Sequence, residues 1–232
     1  MIEAIFFDFN GVIIDDERLQ MAAYQNVLKP HGIDLTEAAY FSALGMDDKT
    51  FVRSAFTKAG KQLSETTLHC LLEEKAALHR GLIEEELPLF PGVVTFLKAS
   101  ARRYALGLVS MASPEEIGYV LDRARLKTLF TVIISADDVS ECKPASECYD
   151  GALHKLNLQR QEHRRLPLLP VECLVIEDSP PGIQSGSAAG MRTLGITNTV
   201  SEDDLRAAGA DVVTHSLADW TVAAVDLVFS QS

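Results

Sequence analysis

The chain is short of positive charge: 21 lysines and arginines stand against 33 aspartates and glutamates in 232 residues, a formal net charge of −12. A surface of that sign repels a polyphosphate backbone unless a basic patch is gathered on one face. The one such cluster, Arg160 to Arg165 in QRQEHRR, is short and bounded by the prolines of LPLLP. It reads as a solvated loop, and nucleic acid is excluded as the main partner. Cysteines are few, and Cys70, Cys142, Cys148 and Cys173 form neither a CxxC pair nor a framework spacing. They read as free thiols of a reducing compartment, not as metal ligands. No run reaches the roughly 18 apolar residues of a membrane helix, and Glu3 interrupts the N-terminal apolar residues. The expectation is a soluble, cytoplasmic protein without a membrane partner; oligomeric state is not legible. Internal repeats and low-complexity tracts are also missing.

What is present is ordinary globular composition, 47% hydrophobic and 23% charged, which supports folding by core packing. The length allows one large α/β unit or a main domain with a smaller one. Short apolar runs recur at AIFF (Ala4 to Phe7), YALGLVS (Tyr104 to Ser110), TVIISA (Thr131 to Ala136), ECLVIED (Glu172 to Asp178) and, more weakly, MRTLGI (Met191 to Ile196). Such runs suit strands buried on both faces of a parallel sheet. Helical patterns lie between them, as at Pro114 to Ala124, with proline at the start and Glu115 and Glu116 in the first turn. The alternation implies a doubly wound α/β sheet. From Glu17 to Glu86 the alternation stops and only helix-like stretches appear, with turn signals at PHG, LGMDD and AGKQLS. An all-helical domain inserted over residues 16–88, between core segments 1–15 and 89–232, is the expected organisation.

In an open α/β sheet the carboxyl ends of the strands share one rim, and ligands bind there. Those ends carry Asp8 and Asn10, Ser110, and Glu177 with Asp178, while Lys143 of ECKPASECY follows the TVIISA strand. Each residue has an ordinary structural use. Asp8 suits a turn, Ser110 a cap, Lys143 a solvated surface, and EDSPPGI a helix start with Ser179 as N-cap and proline in the first turn. Together, two carboxylate loci, a hydroxyl and an ammonium on one rim fit a site for Mg²⁺ and phosphate.

That set, in that order, resembles the haloacid dehalogenase superfamily of aspartate-nucleophile hydrolases. The family's four motifs align with DFNGV (Asp8 to Val12), Ser110, Lys143 and IEDSPPGI (Ile176 to Ile183). The resemblance covers the whole chain and implies a Rossmann-like core with an early-inserted helical (C1) cap, similar to beta-phosphoglucomutase and phosphoglycolate phosphatase. It further implies a Mg²⁺-dependent phosphatase acting on a small phosphorylated metabolite. Asp8 is then the nucleophile of an aspartyl-phosphate route. Mg²⁺ is held by Asp8, the carbonyl of Asn10 and Asp178, with Glu177 touching it directly or through water. Ser110, Lys143 and Asn10 bind the phosphoryl group, and Lys143 offsets the clustered carboxylates.

The chain departs from this family at Asn10, where a second aspartate normally protonates the leaving group and later activates water. A carboxamide does neither, and loss of acid/base help costs about 10²–10⁴ in rate. Three accounts stay open: an introduced substitution, a natural variant using another acid or a leaving group needing little protonation, and a catalytically impaired protein that binds a phosphometabolite. Asp15, Asp16 and Glu17 are the nearby carboxylates, and a solvated helix start is the ordinary reading of each. A haloacid dehalogenase needs no such proton, yet its relatives work without metal, which paired Glu177 and Asp178 do not suggest. In the inserted segment, ALGMDDKTFVRS places Gly45, Met46, Asp48 and Lys49 as candidate substrate contacts. Beta-phosphoglucomutase carries Arg where Asp48 stands and His where Gln20 stands, so a phosphomutase is the runner-up to a phosphatase.

Overall fold

The computed structural model describes residues 1–229. Six parallel strands form one sheet in the order β3-β2-β1-β4-β5-β6: β1 (Ala4–Phe7), β2 (Ala105–Val109), β3 (Val132–Ile134), β4 (Cys173–Glu177), β5 (Arg192–Ile196) and β6 (Val212–Thr214). The first five fall within the apolar runs read from the sequence. β6 was not expected, because it is three half-buried residues at the sheet edge with no continuous apolar run.

Period-two alternation explains why the strands are apolar throughout. Ile5 and Phe7, Leu106 and Leu108, and Leu174 and Ile176 point to one face, where they join Val93, Phe96, Leu97, Ile117, Val120 and Leu121 of helices α5 (Val93–Ser100) and α6 (Pro114–Ala124). Ala4 and Phe6, Val109, and Cys173 and Val175 point to the other, against Cys148, Tyr149, Ala152, Leu153 and Leu156 of α7 (Glu147–Glu162). α7 runs through Arg160, so the basic cluster expected as a loop is partly a helix end, with the turn completed by Arg164 at φ 57°.

Between β1 and α5 lie four helices, α1 (Glu17–Leu28), α2 (Glu37–Phe41), α3 (Asp48–Lys58) and α4 (Glu65–Leu82), and no strand. Thr36, Asp47 and Ser64 each accept a backbone N–H as N-caps of α2, α3 and α4. The helices share their own apolar cluster, including Tyr24, Val27, Leu28, Tyr40, Phe51, Phe56, Leu68 and Leu71. The two segments joining them to the sheet run antiparallel: Ile14 bridges Leu89, Asp15 N–H donates to Pro88 O at 2.7 Å, and Phe90 N–H to Ile13 O at 3.2 Å. After β4, α8 (Pro180–Ala188) starts at Ser179, whose hydroxyl accepts from Gly182 N–H. α9 (Glu202–Ala207) and α10 (Val222–Phe229) complete the described chain.

Sheet register demands one glycine on packing grounds. Phe6 pairs with Gly107 across β1 and β2, and a Cβ there would stand 2.4 Å from Phe6 Cδ1. Gly107→Ala should cost about 1–3 kcal/mol through overpacking, read as a lower denaturant midpoint with an unchanged slope.

Candidate active site

Three adjacent strand ends and one loop build the site. Asp8 continues β1, and its N–H donates to Ile176 O at 2.9 Å, so the position is fixed by the β1–β4 ladder. The chain then turns on Phe9, whose carbonyl accepts from Ile13 and Ile14. Gly11 has φ +74°, and a Cβ on it would fall 1.8 Å from Asp178 Oδ2. Only glycine lets this loop pass so close to the carboxylate. Asn198, after β5, donates to Gly11 O at 2.7 Å and ties the loop down from the other side.

Lys143 is 5% exposed and reaches the rim from the loop after β3. Its ammonium donates to Asp8 Oδ1 at 2.6 Å, Glu177 Oε1 at 2.7 Å and Val109 O at 3.2 Å. Burial works against the charge, but Asp8 and Glu177 outweigh it, and Lys143 stays protonated well beyond its ordinary range. Ser110 is buried at the end of β2; its Oγ accepts from Ala112 N–H at 3.0 Å, which leaves the hydroxyl proton free to donate into the cleft.

Glu177 sits among the acids that could hold a cation and is also engaged by the protein. Its oxygens lie within 4.8 Å of ligand atoms of Asp8 and Asp178, yet it does not line the cleft. Oε1 accepts from Lys143 and Tyr149, and Oε2 from Ser179 Oγ at 3.0 Å and Asp178 N–H at 3.2 Å. It stands behind Lys143 as an anchor with no oxygen turned outward. Gly182 makes room for it, since a Cβ there would overlap its carboxylate.

Three carboxylates around one ammonium leave the site short of positive charge. Burial, then Glu177, Asp8 and Glu17, push the Asp178 carboxyl well above the usual range. Burial and Glu177 against Lys143 bring Asp8 up to about 7. A small cation among Asp8, Glu177 and Asp178 would answer that deficit, and the oxygen-only donor set would suit a hard ion.

Asn10 lines the cleft, and its side chain is also engaged by the protein. Its Nδ2 donates to both oxygens of Asp16, each at 3.0 Å. Asp16 is fully buried and also accepts from Gln20 Nε2 at 3.1 Å, with His79 Nε2 2.9 Å from Oδ2. It is therefore no solvated helix start, whereas Asp15 is exposed as expected. From Gln20 the network continues to Glu116 of α6, then to Lys75 at 3.6 Å, Asp48 at 3.0 Å and Tyr24.

Asp8, Asn10, Ser110, Lys143 and Asp178 line one cleft, with Gly45, Met46 and Asp48 on its opposite wall. A Cβ at Gly45, whose φ is +85°, would stand 2.9 Å from Pro181, so the helical segment closes directly onto the start of α8. Lys49 does not line the cleft: it is exposed and pairs with Asp137 at 3.4 Å. Sequence reasoning missed Tyr40, Lys75, Tyr149, Glu116 and Asn198. For Lys75 a signal existed: with His79 it continues the stripe of Leu68 and Leu71 along the buried face of α4, where polar residues need partners.

In the metal-free protein Asp8 is raised from 3.8 to about 7, and Glu17 from 4.5 to about 8 by burial and Asp16. Between these limits the folded state holds protons that the unfolded state has shed. Their stabilisation is complete below the unfolded values and is lost as pH rises; the melting temperature should be higher at pH 5.5 than at pH 8. Asn10→Asp should set two carboxylates against each other, costing about 1–3 kcal/mol, read as a lower denaturant midpoint. The added change Asp16→Asn should recover most of it in a double-mutant cycle.

A family model described as haloacid dehalogenase-like hydrolase matches residues 5–196. The Phosphorylated carbohydrates phosphatase of Thermotoga maritima is 27% identical over 207 residues, covering 87% of this chain and 88% of that one. Hexitol phosphatase B of Escherichia coli K12 is 27% identical over 227 residues, covering 95% of each. Among solved structures, beta-phosphoglucomutase from Clostridium difficile matches 100% of this chain and 98% of its own with a TM-score of 0.86 at 24% identity, which shows the fold. The chain belongs to the haloacid dehalogenase-like hydrolases.

Proposed function

We propose that this protein is a Mg²⁺-dependent phosphatase of a small phosphorylated sugar or polyol, working through an aspartyl-phosphate on Asp8. The observation that carries the reading is the contact of Lys143 with Asp8 at 2.6 Å beside Asp178, with Ser110 lining the same cleft. The sugar or polyol class is supported by the names of two relatives, a phosphatase of phosphorylated carbohydrates and a hexitol phosphatase.

Asp8 and Asp178 would hold the cation with the carbonyl of Asn10, and Mg²⁺ supplies positive charge to the transferring phosphoryl oxygens. Lys143 keeps Asp8 ionised for attack and lends its positive charge to the phosphoryl group, and Ser110 donates its hydroxyl proton to a phosphoryl oxygen. Asp8 forms the new P–O bond as the ester bond breaks, which divides one hard displacement into two. Residues 16–88 act as a lid over the strand ends, excluding water from the first displacement.

A phosphatase is favoured over a phosphomutase by the far wall. A mutase must hold a second phosphate there, but the cation available, Lys75, is already engaged by Asp48 and Glu116, and Glu17 adds a further carboxyl. That wall suits hydroxyl groups. It also gives a dehalogenase no reason for so polar a cleft.

Phosphate release from a panel of hexose and hexitol monophosphates should depend on Mg²⁺ and vanish with a chelator. Asp8→Asn should abolish it, and a sugar bisphosphate should be a poorer substrate than the monophosphate. Unchanged release by Asp8→Asn would rule out the nucleophile.

A further inference from the structure

We propose that Glu17 is the general acid and base of this site, taking the proton-transfer work that Asn10 cannot do. The proposal rests on the phosphatase reading above.

The cleft separates the three acids that follow the Asp8 loop. Asp15 faces solvent, Asp16 is buried beneath Asn10 and does not line the cleft, and Glu17 is half-buried and does. Glu17 opens the first turn of α1 and shares the cleft with Asp8, Ser110 and Lys143. Two other carboxylates lining the cleft, Asp48 of the helical segment and Glu116 of the core helix α6, are paired with Lys75 at 3.0 and 3.6 Å. Among the described residues Glu17 has no cationic partner within ion-pair distance; its Oε2 accepts from Tyr40 O–H at 2.6 Å. Tyr40 fixes one oxygen and leaves Oε1 for a ligand. A carboxyl without a counter-ion in a half-closed cleft holds a proton at neutral pH, as an acid must. The titratable groups around it agree: burial first, then Asp16, with Asp8 and Glu116 adding to both, raise Glu17 to about 8, while Tyr40 acts in the other direction. Tyr40 itself remains a donor, because burial and Glu17 push its ionisation well up.

The steps balance. As Asp8 bonds to phosphorus, the ester P–O bond breaks and its electron pair stays on the departing oxygen. That oxygen takes the proton of Glu17 and leaves as an alcohol. A water then enters; Glu17, now a carboxylate, accepts one of its protons while the water oxygen attacks the aspartyl-phosphate. The P–O bond to Asp8 breaks, inorganic phosphate leaves, and Glu17 is protonated again. Because Glu17 stands on α1, both transfers require the helical segment to be seated on the sheet.

The test uses the full chain with Mg²⁺, the variants Glu17→Gln and Glu17→Asp, and two esters that differ in need for an acid: a hexitol phosphate and p-nitrophenyl phosphate. Glu17→Gln should lower kcat on the hexitol phosphate about 10²–10⁴-fold, with KM changed less than about threefold. It should keep a single-turnover burst of nitrophenolate, which leaves without a proton, and then accumulate phosphoenzyme. Glu17→Asp should recover part of the turnover. Thermal unfolding of each variant shows that it is folded. Turnover of the hexitol phosphate by Glu17→Gln within threefold of the parent overturns the proposal, and so does equal loss of the burst. If Asp8→Asn abolishes the burst in the same assay, the nucleophile reading survives that failure. A parent chain that turns over neither ester, or an Asp8→Asn variant that keeps the burst, overturns the phosphatase reading and this proposal with it.

Discussion

The ammonium of Lys143 sits between Asp8 and Glu177 at 2.6 and 2.7 Å, in a place where almost no solvent reaches. A charge so buried is tolerated only with partners of opposite sign and full hydrogen bonding, and the surrounding architecture supplies both. Glu177 is fixed by Tyr149 from α7 and by Ser179 at the start of α8. Val109 O offers the third acceptor from the end of β2. Strands β1, β2 and β4 therefore meet at one side chain delivered by a loop after β3. The same contact orients both carboxylates: Glu177 neutralises part of Lys143 from behind, and Asp8 lines the cleft.

A second polar network joins the helical segment to the sheet. It begins at Asn10, passes through Asp16 and Gln20 to Glu116 on α6, and ends at Lys75 and Asp48. Members come from the loop after β1, from α1, α3 and α4, and from the core helix α6, so closure of the cleft and satisfaction of these groups are one event. Such a network contributes more to specificity of arrangement than to net stability, since each charge brought in from water is costly. Asn10 belongs to it as a donor. A carboxylate in its place would face Asp16, so amide and acid at these two positions are matched.

Much of this was legible in the residues. The apolar runs fixed the sheet because strands covered on both faces need no polar side chain, and the loss of strand signal after Glu17 marked the helical segment. Asp8, Ser110, Lys143 and Asp178 were identifiable because the ends of parallel strands share a rim, which makes local position sufficient. Edge strand β6 was not legible, being short and half-solvated. That Lys49 lies outside the cleft was not legible, because its neighbour Asp48 lines the cleft while the next residue of the helix pairs with Asp137.

The roles of Glu177, Asp16 and Glu17 show where local reading stops. Sequence determined that acids occupy these positions, that two of them adjoin the first motif, and that an amide replaces the usual proton carrier. It could not determine which acid is paired with a cation and which is not. Glu177 is bound by Lys143, 34 residues away, and by Tyr149; Asp16 lies beside His79 and Glu17 beneath Tyr40. A carboxyl group's charge depends on its burial and on the nearest opposite charge, and both are set by contacts between residues distant in the chain. Chemical identity is written in the sequence, whereas protonation and orientation are decided only when the helices close on the sheet.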